Sequence, residues 1–381
     1  MKKLFVVLIV MGLLMAVAPT TFAAQRISIN VLLNTEITED ILAELGQHGK
    51  IFDRLVELNA LTMRTTYDGL AEIQALPFVA AANPDAERHA APIDLVAAPD
   101  LSDGINAWDL DAVNVTDLGA GRVESYDGTG VYVAVLDTGL VDVWRAFFPE
   151  ERIAEEFAIS FTGGGSANVG NVADQPNTWE HDQNSHGTHV TSTILGYNMV
   201  TRTVNGVAPM ATVIPVKVLN QAGFGFSSMI AKGIVYIADL KLSGALGDSP
   251  VVINMSLGGS VLDAVEQAAI DYAVNAGVII VASAGNNGEN GMGYPGAYAP
   301  VISVAASGWD GEWTAANWWR TLDVADPTNA DDFYITDFSS RELAGQDLDV
   351  AAPGSWVVGP YKINSGMSVS CLLYTSDAAD E

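Results

Sequence analysis

Asp137 and Asn286 stand where a short apolar run gives way to a turn, His186 opens a helical pattern, and each of the three is of a type that can move or stabilise charge. Asp137 ends the run VYVAVLD and is followed by Thr138 and Gly139. A carboxylate there is costly to desolvate unless it accepts hydrogen bonds, so it either caps the next helix or serves a site. His186 lies in NSHGTHVTSTILGY, where Asn184 and Ser185 offer a cap to an amphipathic helix running through Val190 and Ile194. A histidine in that first turn, beside Gly187, can present its ring to a cleft. His181, Asp182, His186 and His189 together also resemble a ligand cluster, although the His-Glu-x-x-His spacing of zinc peptidases is missing. Asn286, in ASAGNNG, follows another apolar run. Its carboxamide can donate to a developing oxyanion, and Asn-Asn-Gly is also good turn chemistry by itself.

The elements that must hold these residues are Val/Ile-rich runs of strand length at 131–137, 212–219, 251–257, 277–285 and 299–307. Helical patterns follow several of them, as in SSMIAKGIVYIADLKLSG and DAVEQAAIDYAVNAG. Continuous apolar strands with crossover helices predict an α/β fold, a doubly wound and mostly parallel sheet with helices on both faces. Chemistry in such sheets gathers at the carboxyl ends of the strands, where Asp137 and Asn286 both fall. Ahead of this region, 27–84 reads as strand, helix, strands, helix and strand, a small α+β domain. ERHAAPIDLVAAPDLSDG, from Glu87 to Gly104, lacks a period and reads as a linker.

Taken together, VAVLDTGL, HGTHV, GVAPMATVIPVKVL, NMSLG, ASAGNNG and DVAAPG resemble, in order, the motifs of the subtilisin-like serine proteases. The resemblance covers about Gly128 to Ser370. It implies a triad of Asp137, His186 and Ser368 with Asn286 as oxyanion donor. The family's Ser-Gly-Thr-Ser-Met-Ala is matched here by Ser365-Gly366-Met367-Ser368-Val369-Ser370, which keeps the glycine and the nucleophile but departs at 367, 369 and 370. Substrate would lie extended between two edges, Gly223, Phe224 and Gly225 on one side and Ser256, Leu257 and Gly258 on the other. The N-terminal domain resembles the family's propeptide, which implies a self-processing precursor. Calcium is common in the family, so a structural calcium is an expectation, while the chemistry itself needs no cofactor; the loop 198–204 carries no carboxylate to hold one.

The implied layout is a signal peptide over 1–23, a propeptide over 24–89, a linker and the start of the mature enzyme over 90–127, and a peptidase domain over 128–370. MKKLFVVLIVMGLLMAVAPTTFAA has the basic start, apolar run and small residues of a secretory signal, and its apolar run is shorter than a bilayer span. The net charge of −29, from 17 Lys+Arg against 46 Asp+Glu, repels nucleic acid and anionic membrane surfaces. Nucleic acid and membranes are therefore not expected partners; the resemblance implies protein or peptide substrates and the chain's own propeptide, with the enzyme secreted and monomeric. The single cysteine, Cys371, allows no intrachain disulfide. It falls in CLLYTSDAADE, 371–381, which lacks the small residues, Pro-His and apolar helix of the family and resembles translated sequencing-adapter DNA; it reads as a foreign ending on a C-terminally incomplete, inactive chain. Trp309, Trp313, Trp318 and Trp319 occupy a segment longer than the family's usual connection, and packing onto the core is the expected role. Two other readings stay open on the residues alone: a metallopeptidase using His181, His186 and His189, and a non-catalytic secreted protein on the same fold.

Overall fold

The computed structural model describes residues 25–90, 107–117, 121–161, 174–175, 177–199, 202–312, 323–363 and 366–372, with the side chains of 199, 202 and 362–372 excluded. The expected signal peptide, the linker beyond Ala90, Trp313, Trp318 and Trp319, and nearly all of the expected foreign ending lie outside these residues.

The N-terminal unit contains β1 (Arg26–Leu33), α1 (Glu39–His48), β2 (Lys50–Leu55), β3 (Ala60–Thr66), α2 (Tyr67–Gln74) and β4 (Val79–Pro84). Its strands form an antiparallel sheet in the order β2-β3-β1-β4. Alternation along β1 and β3 sends Ile29, Val31, Leu61 and Met63 inward onto Leu45 of α1 and Ile73 of α2. Thr38 caps α1 and Thr66 caps α2, each through its side-chain oxygen.

Where a linker is expected, Glu87–Ala90 instead forms a strand, β5. Such a tetrapeptide has no apolar face of its own, so only its partners, described below, make it a strand.

The larger unit is built on β6 (Tyr132–Asp137), β7 (Ile159–Ser160), α3 (His186–Leu195), β8 (Thr212–Lys217), β9 (Phe224–Phe226), α4 (Ser227–Leu242), β10 (Val251–Met255), β11 (Leu257–Gly258), α5 (Ala264–Asn275), β12 (Ile279–Ser283), β13 (Ile302–Trp309), β14 (Phe333–Ile335) and β15 (Val350–Pro353). The main sheet runs β14-β13-β12-β10-β6-β8-β7, with β15 also beside β13. All these pairings are parallel except β13 with β14. Successive residues of β6 face opposite sides. Leu136 packs with Ile230 and Ile234 of α4 and Ala269 of α5, whereas Val135 packs with Val190 and Ile194 of α3. Both faces are thus covered, which is the condition for a parallel sheet of continuous apolar strands.

The N-terminal unit lies on α4 and α5, adding Leu55 and Ala60 to their apolar cluster and pairing Asp53 with Lys232 at 2.9 Å. Trp108 is fully buried; it stacks on Trp309 at 6.3 Å and packs on Phe333 at 6.4 Å. Trp309 therefore packs the core. Among the described residues no helix is long and apolar enough to cross a membrane.

Candidate active site

Asp137 is the last residue of β6 and is fully buried. It does not cap a helix. One carboxylate oxygen accepts from the Thr138 backbone N–H at 2.5 Å, and the other meets His186 Nδ1 at 2.7 Å. His186 opens α3 and is also fully buried. The close approach of helix and strand end depends on Gly187, since a Cβ there would lie 2.5 Å from the Gly139 carbonyl oxygen. Thr138 Oγ1 accepts from Gly187 N at 2.8 Å, tying the two motifs together.

The helix differs from expectation in two ways. All ten residues of α3 are buried, so it is not amphipathic: a polar side chain such as Thr191 bonds back to the Gly187 carbonyl at 2.8 Å. Its start is organised by Asp182 rather than by a Ser185 side-chain cap. Ser185 adopts a left-handed backbone, φ 76°, with no side-chain cap bond, while Asp182 accepts from Asn184 N and Ser185 N, each at 2.8 Å.

Two buried ions support this arrangement, and the sequence reading assigned neither of them that part. Asp182 accepts from Thr138 Oγ1 at 2.9 Å, and burial pushes its carboxyl up to about 6 against the opposing pull of Lys217. Lys217 ends β8, where its ammonium donates to the Thr138 carbonyl. Burial pushes its pKa down, opposed by Asp182 and Asp137. A lysine at the end of the apolar run TVIPVK is the signal that could have marked it.

His181 is exposed and His189 is buried against the Gly359 backbone, with a pKa pushed down to about 3 by burial and then by His186. Among the described residues no group of three or more His, Cys, Asp or Glu could hold a metal. Hairpin strands β16 (Val357–Ile363) and β17 (Gly366–Leu372) follow. Their backbones pair Tyr361 with Ser368, while the Ser368 side chain lies outside the described residues. Tyr361 is close enough to the site for the charges of Asp182 and His186 to act on its hydroxyl, which burial pushes up first.

Asn286 follows β12 in a turn where Gly285 has φ 100°. Ser340 pins that turn, donating its N–H to the Gly285 carbonyl at 2.8 Å and accepting from Asn287 N at 3.0 Å. Asn286 Oδ1 is buried without a hydrogen-bond partner among the described residues. The side chain lines a cavity of about 330 Å³ together with His89, Ala90, Gly258 and Ser283.

That cavity lies beside the most informative contact in the molecule. β5 fills the gap between β9 and β11, giving an antiparallel order β9-β5-β11. Phe224, Gly225 and Phe226 stand opposite His89, Arg88 and Glu87 on one side, and Leu257 and Gly258 stand opposite Ala90 and His89 on the other. Ala90 N also donates to the Gly223 carbonyl at 2.8 Å. Gly259 is required next to this ladder, because a Cβ there would lie 2.2 Å from the Glu87 carbonyl oxygen. Ser256 is buried just before β11.

Residues 128–380 match peptidase S8, the subtilase family. The chain belongs to the subtilase family. It is 33% identical over 243 residues to the thermostable alkaline protease of Halalkalibacterium halodurans, covering 64% of this chain and 53% of that protein. Thermitase of Thermoactinomyces vulgaris is 30% identical over 244 residues, covering 64% and 70%. This subtilase thus spans about half the length of the first of these relatives. Among solved structures, the S41 psychrophilic protease superposes with a TM-score of 0.52 at 28% identity, covering 72% of this chain and 80% of that one. Fervidolysin of Fervidobacterium pennivorans reaches 0.65 at 22% identity over 94% of this chain and 53% of its own, which shows the fold.

Proposed function

We propose that this subtilase is the precursor of a secreted serine endopeptidase. Ser368 attacks the peptide carbonyl as His186 takes its proton, Asp137 fixes the ring and stabilises the imidazolium, and Asn286 with the Ser368 backbone N–H holds the oxyanion. The observation that carries this reading is the buried 2.7 Å contact between His186 Nδ1 and Asp137, at the carboxyl end of a parallel strand. A histidine held through Nδ1 has Nε2 left to act as general base. Substrate backbone pairs with Gly223–Gly225 and Ser256–Gly258, the edges that β5 now occupies. Residues 25–90 act as an inhibitory propeptide whose last strand lies in the cleft as a cleaved product would. Main-chain pairing of this kind gives affinity with little dependence on side chains.

The test uses Asp137→Asn, His186→Ala and Ser368→Ala in the full-length protease, with a serine-directed fluorophosphonate probe. Each variant should lose about 10⁴-fold or more in turnover, because the three groups act as one unit, and the probe should label wild type at Ser368 alone. Unchanged turnover in the Ser368 variant would refute the assignment. N-terminal sequencing of the active enzyme should find a start beyond His89; an active enzyme beginning near Gln25 would refute propeptide removal.

A further inference from the structure

The side chain of Arg88 carries information that the backbone ladder around it does not. β5 lies between both edges assigned to substrate, and Arg88 is its one long side chain that is wholly buried, at 0% exposure. Its guanidinium enters the larger unit and meets Glu266, in the first turn of α5, likewise 0% exposed. The contact is two-pronged: Nε donates to Oε1 at 3.0 Å and Nη2 donates to Oε2. Nη2 also donates to the Val261 carbonyl at 3.0 Å, and Nη1 to the Glu87 carbonyl at 2.9 Å. Every nitrogen of the fork therefore has a partner, a pattern that a lysine cannot reproduce.

Glu266 belongs to the peptidase unit and stays when the propeptide leaves. We infer that Glu266 makes this protease select substrates with an arginine at the position Arg88 occupies, two residues ahead of the one paired with Leu257. The inference rests on the reading of the chain as a protease. Three observations support it. The recognising carboxylate sits at the floor of a position the cleft offers to any bound strand. An apolar substrate side chain there would cover Glu266 without pairing it, and burying an unpaired carboxylate is strongly unfavourable. The neighbourhood that stays is also acidic: burial opposes the charge on Arg88, but Glu266 and then Asp263, both in the larger unit, hold its pKa above the usual value.

The experiment compares fluorogenic peptides copying residues 83–100, with arginine, lysine or leucine at the Arg88 position, as substrates of the matured full-length protease and of Glu266→Leu. Because Glu266→Leu strands the propeptide's own arginine, it is also made together with Arg88→Leu, which replaces the ion pair by an apolar one and preserves folding. Wild type should favour arginine over leucine by on the order of 10²-fold in kcat/KM, with lysine between them. Glu266→Leu, alone or in the double variant, should reverse the order. A protease that digests denatured casein yet cuts the arginine and leucine peptides equally would overturn this inference alone. Failure to hydrolyse casein or any peptide would overturn the protease reading, and this inference with it.

Discussion

Acid should tighten the grip of the N-terminal unit on the larger unit, and the residue responsible is Asp85. It closes the turn between β4 and β5 and caps α4 from outside, accepting from Ser228 N at 2.9 Å and Ser228 Oγ at 2.7 Å. Asn30 bridges it to Asp263, donating at 3.0 Å and 2.8 Å. Burial, and then the charge of Asp263, push the Asp85 carboxyl up from 3.8 to about 6 against the pull of its hydrogen bonds. The folded chain therefore holds a proton over a pH range in which the unfolded chain has lost it. A raised carboxyl contributes stability that is fully present below pH 4 and is lost as pH rises through 6. At about 1.4 kcal/mol per pH unit, the displacement is worth roughly 3 kcal/mol. Asp182 is pushed in the same direction, so the assay must isolate Asp85. Urea unfolding of the full chain and of Asp85→Asn at steps from pH 4 to 7.5 does so. The wild type should lose about 3 kcal/mol relative to the variant across that range. A difference between the two that does not change with pH would refute the reasoning.

Asn286→Ala should lower kcat by about 10²- to 10³-fold, the scale known for the subtilisin oxyanion donor, with KM little changed; a KM effect alone would place the side chain in ground-state binding. Gly259→Ala should destabilise the folded chain by about 1–3 kcal/mol, because its Cβ meets the Glu87 backbone oxygen; an unchanged thermal midpoint would contradict that close approach. Trp108→Ala should cost about 3–5 kcal/mol by removing the ring on which Trp309 and Phe333 pack, and denaturant titration reads it.

The sequence exposes those parts of the molecule that depend on local pattern. The apolar runs predict β6, β8, β10, β12 and β13 to within about three residues, and Asp137 is conspicuous because a carboxylate ends such a run. β2 is not visible in KIFDRL, which buries only Leu55 fully and is a strand because β3 lies beside it. β5 is invisible for a stronger reason: its partners are more than a hundred residues away. Glu266 reads as an ordinary acid in the first turn of a helix, where the dipole favours it, and nothing within α5 announces that an arginine 178 residues upstream enters beside it. Asp182 resembles a metal ligand by spacing, whereas its three hydrogen bonds make it the organiser of the α3 start. Burial decides that difference, and spacing does not report burial.

The pairing of Arg88 with Glu266 also settles a question of counting. A backbone ladder accepts a strand shifted by two residues almost as readily as the strand in place, since such a slip keeps each side chain on its own face. The sequence around β5, DAERHAAP, offers little to resist it, because three of the neighbouring positions are alanine. A shift of two in either direction would bring Ala86 or Ala90 over Glu266 and leave a carboxylate sealed from water with no cation. One buried charge thus fixes the frame in which the strand lies, as single polar groups fix alignment in coiled coils. In an alanine-rich stretch where several adjacent bonds are chemically alike, that frame determines which of them reaches the residues proposed as catalytic.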